Sequence, residues 1–275
     1  MAGDRKIDPA TNKRLEEFRS SVAKEADEVI FGAFPSKVST RCTCGLEPFT
    51  ELYARYCNEL QELIHSTSTA SSPFHLSHAA DSTDSTVYPP PQPSSSDEPD
   101  KKKRKREAES ESVHTNGISN TQNARYPDLV LLNKHLVSVH QRVKRECEEL
   151  AELCDKIKLW INLTMPKIED GDNFGVQIQE EVLNELHRSQ ESAYNMRDTA
   201  RQSYLNRAKI CSKIIKYPHV EDYTMALKEH DEKQLYLSRQ HLFDLRNIYA
   251  VMTDILHKNM SKIRAPKANN GVGLY

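Results

Sequence analysis

Glycine, tryptophan and long apolar runs are scarce in this sequence. Among 275 residues there are 8 glycines and one tryptophan, while 37% of the residues are hydrophobic and 28% are charged. Sheet-rich classes fit this composition poorly. No stretch approaches the roughly 18 apolar residues that a membrane-spanning helix needs, and the first residues lack the apolar core of a signal peptide. The sequence therefore predicts a helix-rich, intracellular protein that does not enter a membrane.

A strong net charge is also missing, as are the common catalytic motifs. The 38 basic and 40 acidic residues give a formal net charge of −2, which provides no general attraction to nucleic acid or to an anionic membrane. Neither a Gly-x-Ser-x-Gly motif, a phosphate loop nor a His-Glu-x-x-His motif occurs. We therefore expect no catalytic residue, no cofactor, no metal and no specific nucleic-acid partner, and a protein that is not an enzyme.

The six cysteines are too dispersed for a disulfide framework, so reduced thiols are expected. A zinc site is the alternative for Cys42, Cys44, Cys57 and His65. Their spacing is not that of a Cys-x-x-Cys pair, and no second pair follows. We favour small buried residues or free thiols at these positions.

Helical periodicity begins near the N-terminus. Apolar residues at spacings of three and four predict a helix over residues 11–34, which Pro35 is expected to end. A weaker pattern of the same kind predicts a second helix over residues 49–64. The apolar positions of the two patterns are Leu15, Phe18, Val22, Ala26, Val29 and Ile30, and then Leu52, Tyr56, Leu60 and Leu63.

The periodicity then disappears. Residues 66–123 are rich in serine, threonine, proline and charge, so they cannot bury enough apolar surface to offset their ordering entropy, and disorder is expected. Six consecutive cations within them indicate a nuclear localisation signal for an import receptor, with a solvated charge run as the alternative. These cations are Lys101, Lys102, Lys103, Arg104, Lys105 and Arg106.

The C-terminal half predicts three long helices, over residues 128–165, 174–216 and 220–263. The first would be about 55 Å long at 1.5 Å per residue, so it needs neighbours along its whole length. The third carries a seven-residue repeat, which is the period of lengthwise helix packing. The repeat comprises Leu235, Leu242, Tyr249, Leu256 and Ile263, with Leu245 and Met252 in a second row.

These patterns predict an all-α fold, a bundle of long helices interrupted by a disordered insert. The expected divisions are an N-terminal helical region (1–65), the insert (66–123), a helical region that completes the bundle (124–263) and a C-terminal tail (264–275). In the tail, one proline and two glycines keep the chain out of the preceding helix.

A polar turn separates the first two of the long helices. Pro166 breaks the helix before it, and Gly171 and Gly175 permit backbone angles that other residues resist. An ordinary connection needs about two to eight residues and no such mixture. We therefore interpret the turn as a surface for binding and gating, with a plain helix connection as the alternative.

Calcium binding is a second alternative for this turn. Asp170, Asp172, Gly175 and Glu181 occupy positions one, three, six and twelve of an EF-hand loop. Phe174, at position five, has no side-chain oxygen to offer. The missing ligand disfavours a calcium site.

Three segments resemble the 11S proteasome activators: Met165 to Val176, Lys213 to Tyr223 and Leu245 to Tyr249. The resemblance spans residues 129–275 closely and 19–37 more loosely, and it is strongest for the nuclear, gamma-type branch of the family. It implies a four-helix subunit, a homo-heptameric ring and docking on the alpha-subunit ring of a 20S proteasome.

The resemblance also assigns roles to residues. The tail residues Gly273, Leu274 and Tyr275 would enter pockets of the proteasome, and an activation loop would open its gate without ATP. That loop comprises Lys167, Ile168, Glu169, Asp170, Gly171, Asp172, Asn173, Phe174 and Gly175. The family usually has arginine and asparagine where this chain has Lys167 and Asp172, so a bidentate donor and an amide donor are lost. Gate opening is expected to be weaker or differently tuned, and a helical scaffold or adaptor without proteasome activity is the competing function.

Overall fold

The structure is a computed structural model that describes residues 8–38, 60, 64, 69–89, 128–167 and 173–267. These residues are helical apart from turns and one short strand pair, so the all-α prediction is confirmed. In chain order the elements are α1 (Pro9–Glu28), a π-helical turn (Val29–Ala33), α2 (Phe34–Val38), α3 (His78–Ser82), β1 (Val87–Tyr88), β2 (Leu129–Val130), α4 (Lys134–Thr164), α5 (Phe174–Lys216) and α6 (Glu221–Arg264). No helix in these ranges is long and apolar enough to cross a membrane.

The first helix does not end at Pro35, so that prediction is wrong. Helix α1 widens into the π-helical turn, where the Phe34 N–H donates to the carbonyl of Val29, and the chain continues as α2. Pro35 has no N–H to offer the carbonyl of Ile30, five residues earlier. Instead, His257 Nε2 on α6 donates to that oxygen across 3.0 Å. A neighbouring helix thus supplies the hydrogen bond that the proline removes.

Part of the predicted disordered insert is ordered. Residues 69–89 form turns, helix α3 and strand β1, so the prediction of disorder is wrong for them. Strand β1 pairs antiparallel with β2, with Val87 opposite Val130. Phe74 is fully buried and belongs to the hydrophobic core. This aromatic anchor is inconspicuous in a serine-rich stretch, and composition alone therefore missed it.

Hydrogen bonds also fasten this segment to the bundle. Thr83 Oγ1 donates to Asp231 Oδ2 across 2.9 Å, and Asn133 Nδ2 donates to the same oxygen across 2.9 Å. Arg207 Nε donates to Asp231 Oδ1 across 3.1 Å. Asn133 also caps α4, because its Oδ1 accepts from Leu136 N–H at 3.1 Å. One buried carboxylate therefore joins the insert, α4, α5 and α6.

The core lies between α4, α5, α6 and the N-terminal helices. The seven-residue repeat of α6 is confirmed as its buried face, since all five of its positions are fully buried. Helix α5 has the predicted bounds, whereas α4 begins six residues later than predicted because β2 precedes it. Of the weaker helix predicted over residues 49–64, only Leu60 and Ile64 belong to the described residues, and both are helical and buried.

A buried ion pair attaches α2 to α4. Lys37 Nζ lies 2.9 Å from Glu146 Oε2 and 2.7 Å from Glu149 Oε2, with the lysine side chain 1% exposed. Burial acts to lower the pKa of Lys37, but the two carboxylates outweigh it and the pKa is raised. The lysine therefore stays charged inside the bundle.

Candidate functional site

The polar turn lies at one end of the α4–α5 hairpin. Helix α4 ends at Thr164, and Met165 adopts an extended conformation with φ −57° and ψ 129°, as expected before a proline. Pro166 thus ends the helix as predicted. Helix α5 begins at Phe174, with Asn173 as its N-cap residue. Residues 168–172 are outside the described residues. The structure places the residues on either side of them, Lys167 after α4 and Asn173 to Gly175 at the start of α5, and we call these two ends the bases of the turn.

Four of the nine predicted loop residues are placed. Lys167 and Asn173 are exposed and flank the turn. Phe174 and Gly175 belong to the first turn of α5, in agreement with the predicted start of that helix. The helix begins here because Gln177 N–H already finds a helical acceptor, the Asn173 carbonyl, at 2.9 Å. The last two residues of the motif over residues 167–175 therefore belong to helix α5 and not to the connection before it.

Gly175 lies directly beneath the chain that leaves α6. A Cβ atom built on Gly175 would lie 2.5 Å from Pro266 Cα and 2.6 Å from its carbonyl carbon, and closer still to its carbonyl oxygen. Real Cβ atoms do not approach backbone so closely, and backbone cannot move aside as a flexible side chain can. The glycine is required here by close approach rather than by an unusual backbone angle. We call Ala265, Pro266 and Lys267 the tail root.

Two hydrogen bonds fix the end of α6 and the tail root at this place. Gln179 is fully buried one turn after Gly175, and its Nε2 donates to the Ile263 carbonyl across 2.8 Å. This bond satisfies one of the last carbonyls of α6, which have no partner within the helix. Lys267 Nζ donates to the Lys167 carbonyl across 3.3 Å. The tail root therefore touches both bases of the turn.

The described residues at this end include three lysines and an exposed aromatic ring. Lys262 Nζ lies 5.8 Å from the centre of the Phe174 ring, and Phe174 is 55% exposed. Lys167 and Lys267 add two further cations. A cation over an aromatic face is attracted by the ring, which restrains the exposed phenylalanine at the start of α5. Phe174 and Asn173 thus lie exposed at this end of the bundle.

Sequence reasoning missed the contacts made by Gln179, Pro266 and Lys267. Gln179 follows Gly175 by four residues and therefore shares its helix face, but a glutamine on a helix gives no sign of what it contacts. The contact between Lys167 and Lys267 joins residues 100 positions apart. Only the packing of α6 against α5 brings these residues together.

The other predicted sites have different outcomes. The tail residues Gly273 to Tyr275, the basic cluster Lys101 to Arg106, and the cysteines and histidine considered for zinc are outside the described residues. For the calcium alternative, Glu181 is an exposed residue of α5, and its Oε1 accepts from Gln177 Nε2 at 3.2 Å. Within residues 8–38, 69–89, 128–167 and 173–267, no three His, Cys, Asp or Glu side chains are grouped as metal ligands.

The pKa values of the three thiols within the described bundle are raised. Cys147, Cys154 and Cys211 are free. Burial raises the pKa of Cys147 and of Cys154 to about 12, so both stay protonated at neutral pH. Burial likewise raises the pKa of Cys211. These cysteines fill space in the helix interfaces.

The described residues define a bundle of long helices in which the tail root lies beside both bases of the turn. A family model described as "Proteasome activator PA28, C-terminal" matches residues 129–273. The chain is 33% identical to Proteasome activator complex subunit 3 of Homo sapiens over 277 aligned residues, which cover 100% of both chains. The chain belongs to the PA28, or 11S, family of proteasome activators, as predicted.

Solved structures agree with this assignment. The 11S subunit of the Plasmodium falciparum proteasome, PA28, is 26% identical, with a TM-score of 0.63 over 98% of this chain and 99% of that one. The activator in a proteasome–11S activator complex shares the fold, with 12% identity and a TM-score of 0.56 over 97% of this chain and 99% of that one. The family consists of activators rather than catalytic enzymes.

Proposed function

We propose that this chain is a subunit of an activator that docks on the end of a 20S proteasome and opens its gate without ATP. One observation carries the proposal. The tail root and both bases of the turn contact one another at the same end of the bundle. A single partner surface can therefore meet the tail and the loop at once, which a scaffold or adaptor would not require. In this proposal the chain itself cleaves no bond.

The tail provides the binding energy. Residues 268–275 continue from Lys267, so they start beside the loop. In a ring of seven copies, as family membership suggests, each tail would enter a pocket between alpha subunits. Once one tail is bound, binding of the others is intramolecular, so weak tails combine into a tight complex.

The loop provides the selectivity for the open gate. A ligand that binds two conformations with equal affinity does not shift the equilibrium between them. The loop must therefore bind the open arrangement of the gating segments more tightly than the closed one. We assign this contact to residues 167–175. Asn173 is exposed and its side chain makes no capping hydrogen bond, so it is free to face a partner at no cost to α5.

Two variants separate these roles. Deleting Gly273 to Tyr275 is expected to abolish association with purified 20S particles, because the anchor and its carboxylate are removed. Asn173→Tyr is expected to preserve association and to lose stimulation of fluorogenic peptide hydrolysis. Asn195→Tyr is the matched control: Asn195 is exposed on the same helix, and 22 residues at 1.5 Å place it about 33 Å away.

The outcomes distinguish the hypotheses. Unchanged association of the truncated chain would remove the tail assignment, and full stimulation by Asn173→Tyr would remove the loop assignment. A wild-type chain that forms smaller oligomers in native mass measurement and does not stimulate peptide hydrolysis would favour the scaffold or adaptor.

We further propose a nuclear location, which is supported by the similarity to the gamma-type subunit and by the cations at Lys101 to Arg106. A cluster of this kind is read by import receptors as an extended peptide. The same cluster makes an import receptor a second partner.

A further inference from the structure

We propose that Gly175, Gln179 and Lys267 are positioning residues that lock the tail root to the loop, so that a docked tail orients the gate-opening loop. The inference rests on the proposed function and adds to it a mechanical link between docking and opening. Binding and opening then depend on each other through contacts inside one subunit.

The first part of the link is the exit point of the tail. Helix α6 ends at Arg264, and the Ala265 N–H donates back to the Ser261 carbonyl across 3.1 Å. Gln179 Nε2 donates to the buried Ile263 carbonyl, in the last turn of α6. Gln179 has no exposed surface. This hydrogen bond therefore fixes the position of the end of α6 along the axis of α5.

The second part is the crossing over α5. Because Gly175 lacks a Cβ atom, the Pro266 backbone lies against the first turn of α5. Gly175 and Gln179 are four residues apart and so face the same way. Proline fixes φ near −65°, which leaves the crossing backbone few alternatives. The tail root passes within contact distance of the residues where the loop ends.

The third part reaches the other base of the loop. Lys267 Nζ donates to the Lys167 carbonyl, immediately after Pro166. Lys167 precedes the undescribed residues 168–172, and Gly175 follows them closely. The tail root therefore contacts the chain on both sides of the loop. A displacement of the tail root would therefore move both bases of the turn. Without these two contacts, a movement of the tail would not be transmitted to the loop.

Gly175→Ala tests the crossing by the sign of a stability change. Alanine has the higher helix propensity, so an account based on α5 alone predicts a higher melting temperature. The crossing predicts a lower one, because the added methyl group displaces Pro266. Gln177→Ala is the matched control, since Gln177 is exposed in the same turn. An unchanged or higher melting temperature for Gly175→Ala would overturn the crossing.

Lys267→Met tests the transmission to the loop. Because Lys267→Met also removes a cation from the docking end, association with 20S particles is measured for Lys267→Met and for Lys267→Arg, and stimulation is compared at activator concentrations that saturate binding. Peptide hydrolysis at saturating activator is expected to fall about fivefold, which corresponds to one hydrogen bond of about 1 kcal/mol. Lys267→Arg keeps a cationic donor and is expected to retain most of the stimulation. Full stimulation by Lys267→Met, or an equal loss of association and stimulation, would contradict the inference.

Hydrogen exchange without any proteasome separates this inference from the proposed function. In Lys267→Met the amide of Gln177, which donates to the Asn173 carbonyl at the start of α5, is expected to exchange faster than in wild type, while those in the middle of α5 are unchanged. If wild type fails to stimulate and this difference is present, the proposed function fails but the contact stands. If wild type stimulates and the amides of Lys267→Met exchange as in wild type, the link is refuted and the function stands.

Discussion

Asp231 is the residue whose removal has the largest stability effect that we expect from this structure. Its carboxylate is 1% exposed and accepts hydrogen bonds from Thr83, Asn133 and Arg207. The Arg207 side chain is 7% exposed and also donates from Nη1 to the Leu131 carbonyl at 3.0 Å. The carboxylate is therefore the only anion bonded to this guanidinium among the described residues.

Asp231→Ala would leave the guanidinium buried and without its counterion. Breaking a buried pair from one side costs about 3–5 kcal/mol, because the remaining charge is neither hydrated nor paired. Total stabilities of about 5–15 kcal/mol are usual for native proteins, so the loss is a large fraction. Asp231→Asn keeps an acceptor oxygen for Thr83 or Asn133, and we expect an intermediate loss.

Urea unfolding followed by circular dichroism measures this loss. Protomer concentration must be held constant, since self-association changes apparent stability by mass action. Asp198→Ala is the matched control: Asp198 pairs with Arg201 at 2.6 Å on the exposed face of α5. Its removal is expected to leave the urea midpoint unchanged, because exposed pairs contribute little.

The same variant reports on the insert. Thr83 and Asn133 share Asp231, so its loss should weaken the attachment of residues 83–89 to α4 and α6, although Phe74 remains in the core. Amide exchange in β1, at Val87 and Tyr88, is then expected to become faster than in Asp198→Ala. A loss below about 1 kcal/mol, or unchanged exchange in β1, would refute the reasoning that this carboxylate joins the insert to the bundle.

Two further predictions concern import and pH. Replacing Lys103, Arg104 and Lys105 by alanine in a fluorescent fusion should move the protein from the nucleus to the cytoplasm, and continued nuclear accumulation would contradict the assignment. Burial, followed by the charges of Lys144, His241 and His230, lowers the pKa of His140 to about 4, with Asp231 opposing. Between about pH 6.5 and 4 the unfolded state holds a proton that the folded ring does not, so stability should decrease as pH falls through this window, by up to about 3 kcal/mol. His140→Gln should make urea midpoints measured at pH 7 and pH 5 differ less, and an equal difference would show that this ring does not titrate as stated.

Sequence reasoning succeeded where a pattern is long and regular. Helix α5 has the predicted bounds because its apolar positions recur over 43 residues and Tyr217-Pro218 stops it. The α6 repeat predicted the buried face of that helix. Such patterns are local consequences of helix geometry, and therefore need no knowledge of the partner helix.

It failed where one distant contact overrides a local rule. Pro35 is a helix breaker by every local criterion, yet the carbonyl that it leaves unpaired is satisfied by His257 from α6. Residues 69–89 have a composition typical of disorder, yet Phe74 and Thr83 anchor them. His257 and Asp231, which stabilise these two segments, are each more than 100 positions away in the sequence. Phe74 is a single aromatic residue in a polar stretch.

By itself, the sequence determined the class of fold, the number and length of the C-terminal helices, the family and the two segments proposed for docking and gate opening. The tertiary structure decided how those segments relate. A glycine permits unusual backbone angles in any sequence. At position 175 a glycine is required because the Pro266 backbone lies where a Cβ atom would be. Close approach depends on the relative position of two helices, which hydrophobic periodicity does not encode. For that reason the contact of the tail root with the loop emerges only from the packed bundle.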